Sequence, residues 1–184
     1  MQRALVDQAR SGDREAFDAL ARTVGDQCMA IAHRILRDAD LADDAVQAAL
    51  ITAWRELRTL RDADRFKPWL HRILTNACYA EARRVRRWSA DVRLLPKPTT
   101  HDPGGIFTVD DRDQLERAFR RLTLEQRAVV VFHIYLDLPL ADVAARLGIP
   151  LGTTKSRLHY AMSALRASLE ADARTPSLAQ ERPA

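Results

Sequence analysis

Two stretches of this chain concentrate side chains able to do chemistry on a polyanion. From Arg65 to Arg93 stand Arg65, Lys67, Arg72, Arg83, Arg84, Arg86, Arg87 and Arg93 against only Glu81 and Asp91, a local excess of six positive charges where the whole chain has a formal +4. Phe66, Trp69, Tyr79 and Trp88 are interleaved with them. Guanidinium groups neutralise phosphates and aromatic rings stack unpaired bases, so the combination suits single-stranded or distorted nucleic acid. The plainer alternative is that Trp69 is core and the arginines solvate a helix end; for Trp69 the core is preferred. The second stretch, LADVAARLGIPLGTTKSRLHYA from Leu140 to Ala161, reads as helix, turn, helix, with small Ala144 where two helices approach and Gly148 at the turn. Its second helix offers Thr153, Lys155, Ser156, Arg157, His159 and Tyr160, donors suited to base edges and phosphates in a major groove, although a helical hairpin with a polar face would share the pattern.

Enzyme chemistry finds little support. The five histidines, His33, His71, His101, His133 and His159, are scattered, and none forms a metal-ligand pair at helical spacing. Cys28 and His33 are five apart, the wrong interval for one helical face. No phosphate-cradling glycine loop is present. Asp43 and Asp44 lack a metal motif or a partner acid, and a protein-binding face is the better reading of them. No cofactor and no catalytic residue are expected.

These residues need elements to position them. The 184 residues are 47% apolar and 29% charged, with 6 Gly and 8 Pro, enough hydrophobe to fold and too much charge for a membrane protein. Two cysteines make no disulfide framework, the charged amino terminus lacks a signal-peptide core, and no run reaches the roughly eighteen apolar residues that span a bilayer. A cytoplasmic protein without membrane insertion is expected. Phe17, Leu20, Val24, Cys28, Ile31 and Ile35 draw one stripe down a long helix, with Ser11 and Asp13 as candidate caps. Val46, Leu50, Trp54 and Leu57 mark a second, whose other face carries Asp43, Asp44, Gln47 and Arg55; Trp69, Leu70, Ile73, Leu74 and Ala77 mark a third from about Pro68. The period stops between about Ser89 and Asp110, where Pro96, Pro98, Pro103, Gly104 and Gly105 fall.

Beyond that gap, Thr123 and Gln126 fit a capping box. The AVVVFHIYL run that follows would suit a strand or a helix, and the cap and helical surroundings decide for helix. The fold class is therefore all-α: two small helical domains, 1–88 and 111–171, joined by a flexible linker, 89–110, the second containing a helix-turn-helix, with a disordered tail, 172–184.

Three motifs in order resemble the extracytoplasmic-function (ECF) group of the sigma-70 family of bacterial RNA polymerase sigma factors: DADLADDAVQAALITAW, FKPWLHRILTNACYAEARRVRR and LTLEQRAVVVFHIYLDLPLADVAARLGIPLGTTKSRL. The resemblance spans nearly everything from the first helix to about Leu169. It implies a non-enzymatic specificity subunit that binds core RNA polymerase, at its clamp helices and flap, and promoter DNA. Asp43, Asp44, Gln47 and Ile51 would then face the polymerase. Asn76 would sit in the pocket taking a base flipped from the minus-ten element, and Phe66, Lys67, Arg72, Arg83, Arg84, Arg86 and Arg87 would hold the melted strand. Thr153, Lys155, Ser156, Arg157, His159 and Tyr160 would read the minus-thirty-five element. The chain departs from the family pattern at Ala80, where an acid often stands, at Thr154, usually aliphatic, at Tyr160, commonly basic, and at Pro139, typically a capping Ser. The family is commonly held inactive by an anti-sigma factor, and no residue here identifies one. The rival reading is a free-standing helix-turn-helix regulator that binds duplex DNA without polymerase, its first domain a sensor or dimerisation module.

Overall fold

The computed structural model describes the backbone over 2–91 and 109–173 and side chains over 2–87 and 114–171. Every described element is helical: α1 (Gln2–Arg10), α2 (Arg14–Leu36), α3 (Ala39–Glu56) and α4 (Phe66–Asp91) form a first domain, and α5 (Val109–Arg121), α6 (Leu124–Val130), α7 (Leu140–Leu147) and α8 (Leu151–Ala173) a second. Residues 92–108 and 174–184, which hold most of the expected linker (89–110) and tail (172–184), lie outside the described residues, as does the side chain of Trp88.

Local chemistry sets the helix ends. Asp13 caps α2, accepting from the Ala16 amide at 3.1 Å, and Asp38 caps α3 through the Leu41 amide at 3.0 Å. Thr123 and Gln126 close the expected capping box on α6, each side chain bonded to the other's backbone N–H. The AVVVFHIYL run is helical as read, but α6 widens into one π turn over Val131–Tyr135 before the chain reverses at Asp137, φ 50°. Missed altogether was α1, whose short apolar stripe buries Val6 and Ala9.

In the first domain α3 lies against α2 and α4 through Ala42, Ala45, Ala49 and Ala53, small side chains that let the backbones close in, with Leu20, Ile31, Ile35, Leu70 and Leu74 filling the centre. The second domain keeps a small core of its own: Ala118, Leu122, Val130, Ala161 and Leu165. The rest of its apolar surface, Val129, Phe132 and Val143 foremost, belongs to one cluster continuous with the core of the first domain. The tethered domains thus also share a buried seam, formed by α6 and the π turn on α2 and by α7 on α4.

Candidate nucleic-acid interface

Helix α4 carries the basic stretch. Arg72, Asn76, Arg83 and Arg87 all fall on one exposed side of it, a stripe spanning about 22 Å at 1.5 Å per residue. Arg84 turns off that line. Its guanidinium donates to Glu81 at 2.6 Å and to Asp44 of α3 at 2.9 Å, and the two carboxylates, Glu81 first, raise its pKa further. Lys67, Asn76 and Arg86 are exposed as expected.

Phe66 is a correction. It is 1% exposed, packed in the core beside Trp69 with ring centroids 6.1 Å apart, and cannot stack a base without unfolding the start of α4. The residues Phe66, Leu70, Leu74 and Cys78 recur every four and form the buried side of the helix, a period that charged neighbours disguised. Tyr79 is also largely withdrawn: burial pushes its phenol up to about 12, and its hydroxyl has no hydrogen-bond partner among the described residues.

The helix-turn-helix is built as anticipated. Gly148 ends α7 at φ 66°, ψ 34°, a conformation in which a Cβ is strained, and α8 follows after Ile149 and Pro150. Thr154, at a position read as unusual, is fully buried, its hydroxyl satisfied by the Pro150 carbonyl at 3.2 Å. Lys155, Ser156, His159 and Tyr160 stand on the exposed face of α8, with Tyr160 64% exposed and edge-on to His159 at 5.7 Å. Thr153 and Arg157 are half-buried at its flank.

On α3, Asp43, Asp44, Gln47 and Ile51 share an exposed face, and Ile51, 46% exposed, opens onto a groove of about 750 Å³. Phe17 and Trp54, 5.0 Å apart, floor it, and Arg14, Asp18 and Arg55 rim it. The aromatic floor escaped notice in the sequence because Phe17 and Trp54 sit on stripes that read as core. Neither thiol offers chemistry: burial raises Cys28 to about 11 and Cys78 to about 12, and both are free. Among the described residues no group of three or more His, Cys, Asp or Glu could hold a metal ion, and no helix is long and apolar enough to cross a membrane.

Residues 20–88 match Sigma-70 region 2 and residues 112–165 match Sigma-70, region 4. The ECF RNA polymerase sigma factor SigM of Mycobacterium tuberculosis is 35% identical over 162 residues, 84% of this chain and 78% of that protein. The chain belongs to the ECF sigma factors. Solved relatives have the same architecture. CnrH, in complex with the cytosolic domain of CnrY, superposes with a TM-score of 0.65 at 27% identity, over 93% of this chain and 98% of its own. The sigma factor RpoE of Bartonella quintana, in complex with the anti-sigma factor NepR, does so at 0.71 and 27%, over 85% and 98%. With region 2 matched across α2 to α4, the first domain of this sigma factor is no regulator's sensor or dimerisation module. The basic stripe of α4 and the exposed α3 face with Ile51 both fall within region 2, and the helix-turn-helix within region 4.

Proposed function

We propose that this ECF sigma factor docks on core RNA polymerase through α3, reads the minus-thirty-five element with α8, and captures the melted minus-ten strand on α4. The observation that carries the reading is the segregation of surfaces. Asp43, Asp44, Gln47 and Ile51 make an acidic and apolar face beside an aromatic groove, while Arg72, Asn76, Arg83 and Arg87 make a basic stripe on another helix. The Asn76 amide can donate to and accept from an unstacked base edge, and the flanking guanidinium groups neutralise the backbone on either side. Because this stripe binds only opened DNA, capture of unstacked bases drives melting by shifting the equilibrium toward the open form.

The protein makes no bonds itself; polymerase supplies the chemistry. Its place is the cytoplasm, where core enzyme and promoter meet, and an anti-sigma factor of the kind held by the solved relatives is a fitting further partner. The test is to reconstitute the purified chain with core polymerase on a random promoter library and sequence the transcripts. Transcripts starting downstream of a shared pair of motifs are expected, none without core enzyme. Tight, specific duplex binding by the free chain with no directed transcription would favour a free-standing regulator and end this account.

A further inference from the structure

The exposed face of α8 sets four different chemistries side by side. Lys155 and His159 lie one turn apart on it, and Ser156 and Tyr160 form the neighbouring row, since residues four apart share a helix face. The Lys155 ammonium only donates. Ser156 gives its hydrogen to the Thr153 carbonyl at 3.0 Å, which leaves its oxygen to accept. The His159 ring does either, according to its tautomer. Tyr160 is the apolar member of the four. At 64% exposure it is the most exposed large apolar side chain among the described residues, and its ring stands edge-on to His159, centroids 5.7 Å apart and planes inclined by 70°. Consecutive residues point about 100° apart around a helix and do not face each other by default, so the two rings have turned together into one aromatic surface.

A single exposed apolar residue needs no explanation on its own. This one stands on the face that the functional reading turns toward the major groove, where the base edges differ in one apolar feature, the 5-methyl group of thymine. The hydrogen-bonding edges are served by the lysine, serine and histidine beside it. A cation at position 160 would take a phosphate or a guanine edge, whereas an uncharged phenol ring covers a methyl. Tyrosine brings that surface with only two side-chain torsions to fix, and the contact with His159 holds the ring before DNA arrives. Leu151, 41% exposed, is the other apolar side chain at this end of α8, but it lies nine residues earlier, about 13 Å along the axis. We propose that Tyr160 is a specificity-determining residue whose ring, braced by His159, covers the methyl of one thymine in the minus-thirty-five element and so selects thymine there. The inference rests on the functional reading above and names the base that one position of α8 prefers.

The test uses the full chain with core polymerase. A promoter library randomised across the minus-thirty-five element gives the preferred sequence, and each thymine in it, on either strand, is then replaced by uracil, which removes the methyl and leaves every hydrogen-bonding group in place. Holoenzyme binding to these duplexes should fall about fourfold at one thymine, the worth of one methyl-sized group withdrawn from water. Tyr160→Ala should bind the thymine and uracil duplexes alike, about as weakly as the wild type binds uracil, while Tyr160→Phe and Leu151→Ala keep the full discrimination. Because the side chain is exposed, neither substitution at 160 should move the urea midpoint. An element without thymine, a uracil series without effect, or a Tyr160→Ala variant that discriminates as the wild type does would overturn the proposal. So would loss of the discrimination in Leu151→Ala, or a Tyr160→Phe variant weakened equally on both duplexes, which would put the hydroxyl on a phosphate instead. Lys155→Ala separates the two readings: if it changes the selected element and Tyr160→Ala does not, only the methyl contact fails, and if neither changes it, α8 does not read the element and the function beneath fails as well.

Discussion

The ring of His71 meets that of Phe132 across the domain boundary, and the same imidazole takes a hydrogen bond from Arg146. Arginine can only donate, so Nδ1 carries no proton and the neutral tautomer has its hydrogen on Nε2. Burial first, then the charges of Arg146 and Lys67, lowers the His71 pKa from 6.5 to about 4. Solvation on unfolding restores a value near 6.5, so the unfolded chain takes up a proton that the folded chain refuses. The folded chain therefore has its full advantage above about pH 6.5 and loses it as pH falls toward 4, by up to about tenfold in population per pH unit. Urea titrations from pH 7.5 to 4.5 should show stability falling over that window, and His71→Phe should flatten the profile. An equal response in that variant would mean another group titrates.

Gly148 is needed for its backbone and for its lack of a side chain at once. In the left-handed region an alanine costs about 1–2 kcal/mol, and its Cβ would also displace the Arg72 guanidinium by a few tenths of an ångström. Gly148→Ala should lower the stability of the chain by about that amount in a urea titration, with the Arg72 side chain giving way. Unchanged stability would show that the turn adopts another conformation in solution.

Phe66→Ala should act on folding rather than on DNA. Removing a phenyl from a position this buried costs about 3–5 kcal/mol, enough to unfold much of the first domain. Phe66→Leu, which keeps most of the volume, should retain the fold and transcribe from all promoters with the same relative strengths. A promoter-dependent loss in the leucine variant would put the ring back among the base contacts.

How legible these features were in the sequence depended on how local their causes were. The caps at Asp13 and Thr123, the αL turn at Gly148 and the long stripe from Phe17 to Ile35 were readable because a few neighbouring residues decide them. Helix α1 was not, since Val6 and Ala9 give barely one apolar repeat among charges. Phe66 was misplaced because Arg65 and Lys67 on either side argued for exposure while its actual period partners lie four, eight and twelve residues on. The seam had no local signature at all. Arg127 bonds to carbonyls more than ninety positions away, and its role exists only once two separately legible domains are brought together.

Asn76 is exposed on the α4 stripe. Asn76→Ala should therefore leave thermal stability within about 0.5 kcal/mol of wild type. If its amide reads a flipped base, transcription by the reconstituted holoenzyme should fall about tenfold to a hundredfold, the worth of one good base contact at 1–3 kcal/mol. Restoration on a template already opened at the minus-ten element would place the loss at melting, and unimpaired transcription on closed duplex would remove Asn76 from the site.

The four arginines near the end of α4 are not equivalent, and salt dependence should tell them apart. A cation on single-stranded DNA contributes about −0.7 to the slope of log affinity against log salt, so Arg83, Arg84, Arg86 and Arg87 together account for a slope near −3. Arg84 must first leave Glu81 and Asp44, exchanging two carboxylates for one phosphate, whereas Arg83 and Arg87 project outward along the stripe. Measured by holoenzyme binding to forked promoter DNA, Arg83→Ala or Arg87→Ala should each flatten the slope by about 0.7, and Arg84→Ala by less. Because Asp44 lies on the face assigned to polymerase, docking there would loosen the Asp44–Arg84 pair and free the guanidinium for DNA, and Asp44→Asn should mimic this by increasing the effect of Arg84→Ala. If the quadruple alanine variant kept the wild-type slope, the stripe would not be where the strand lies.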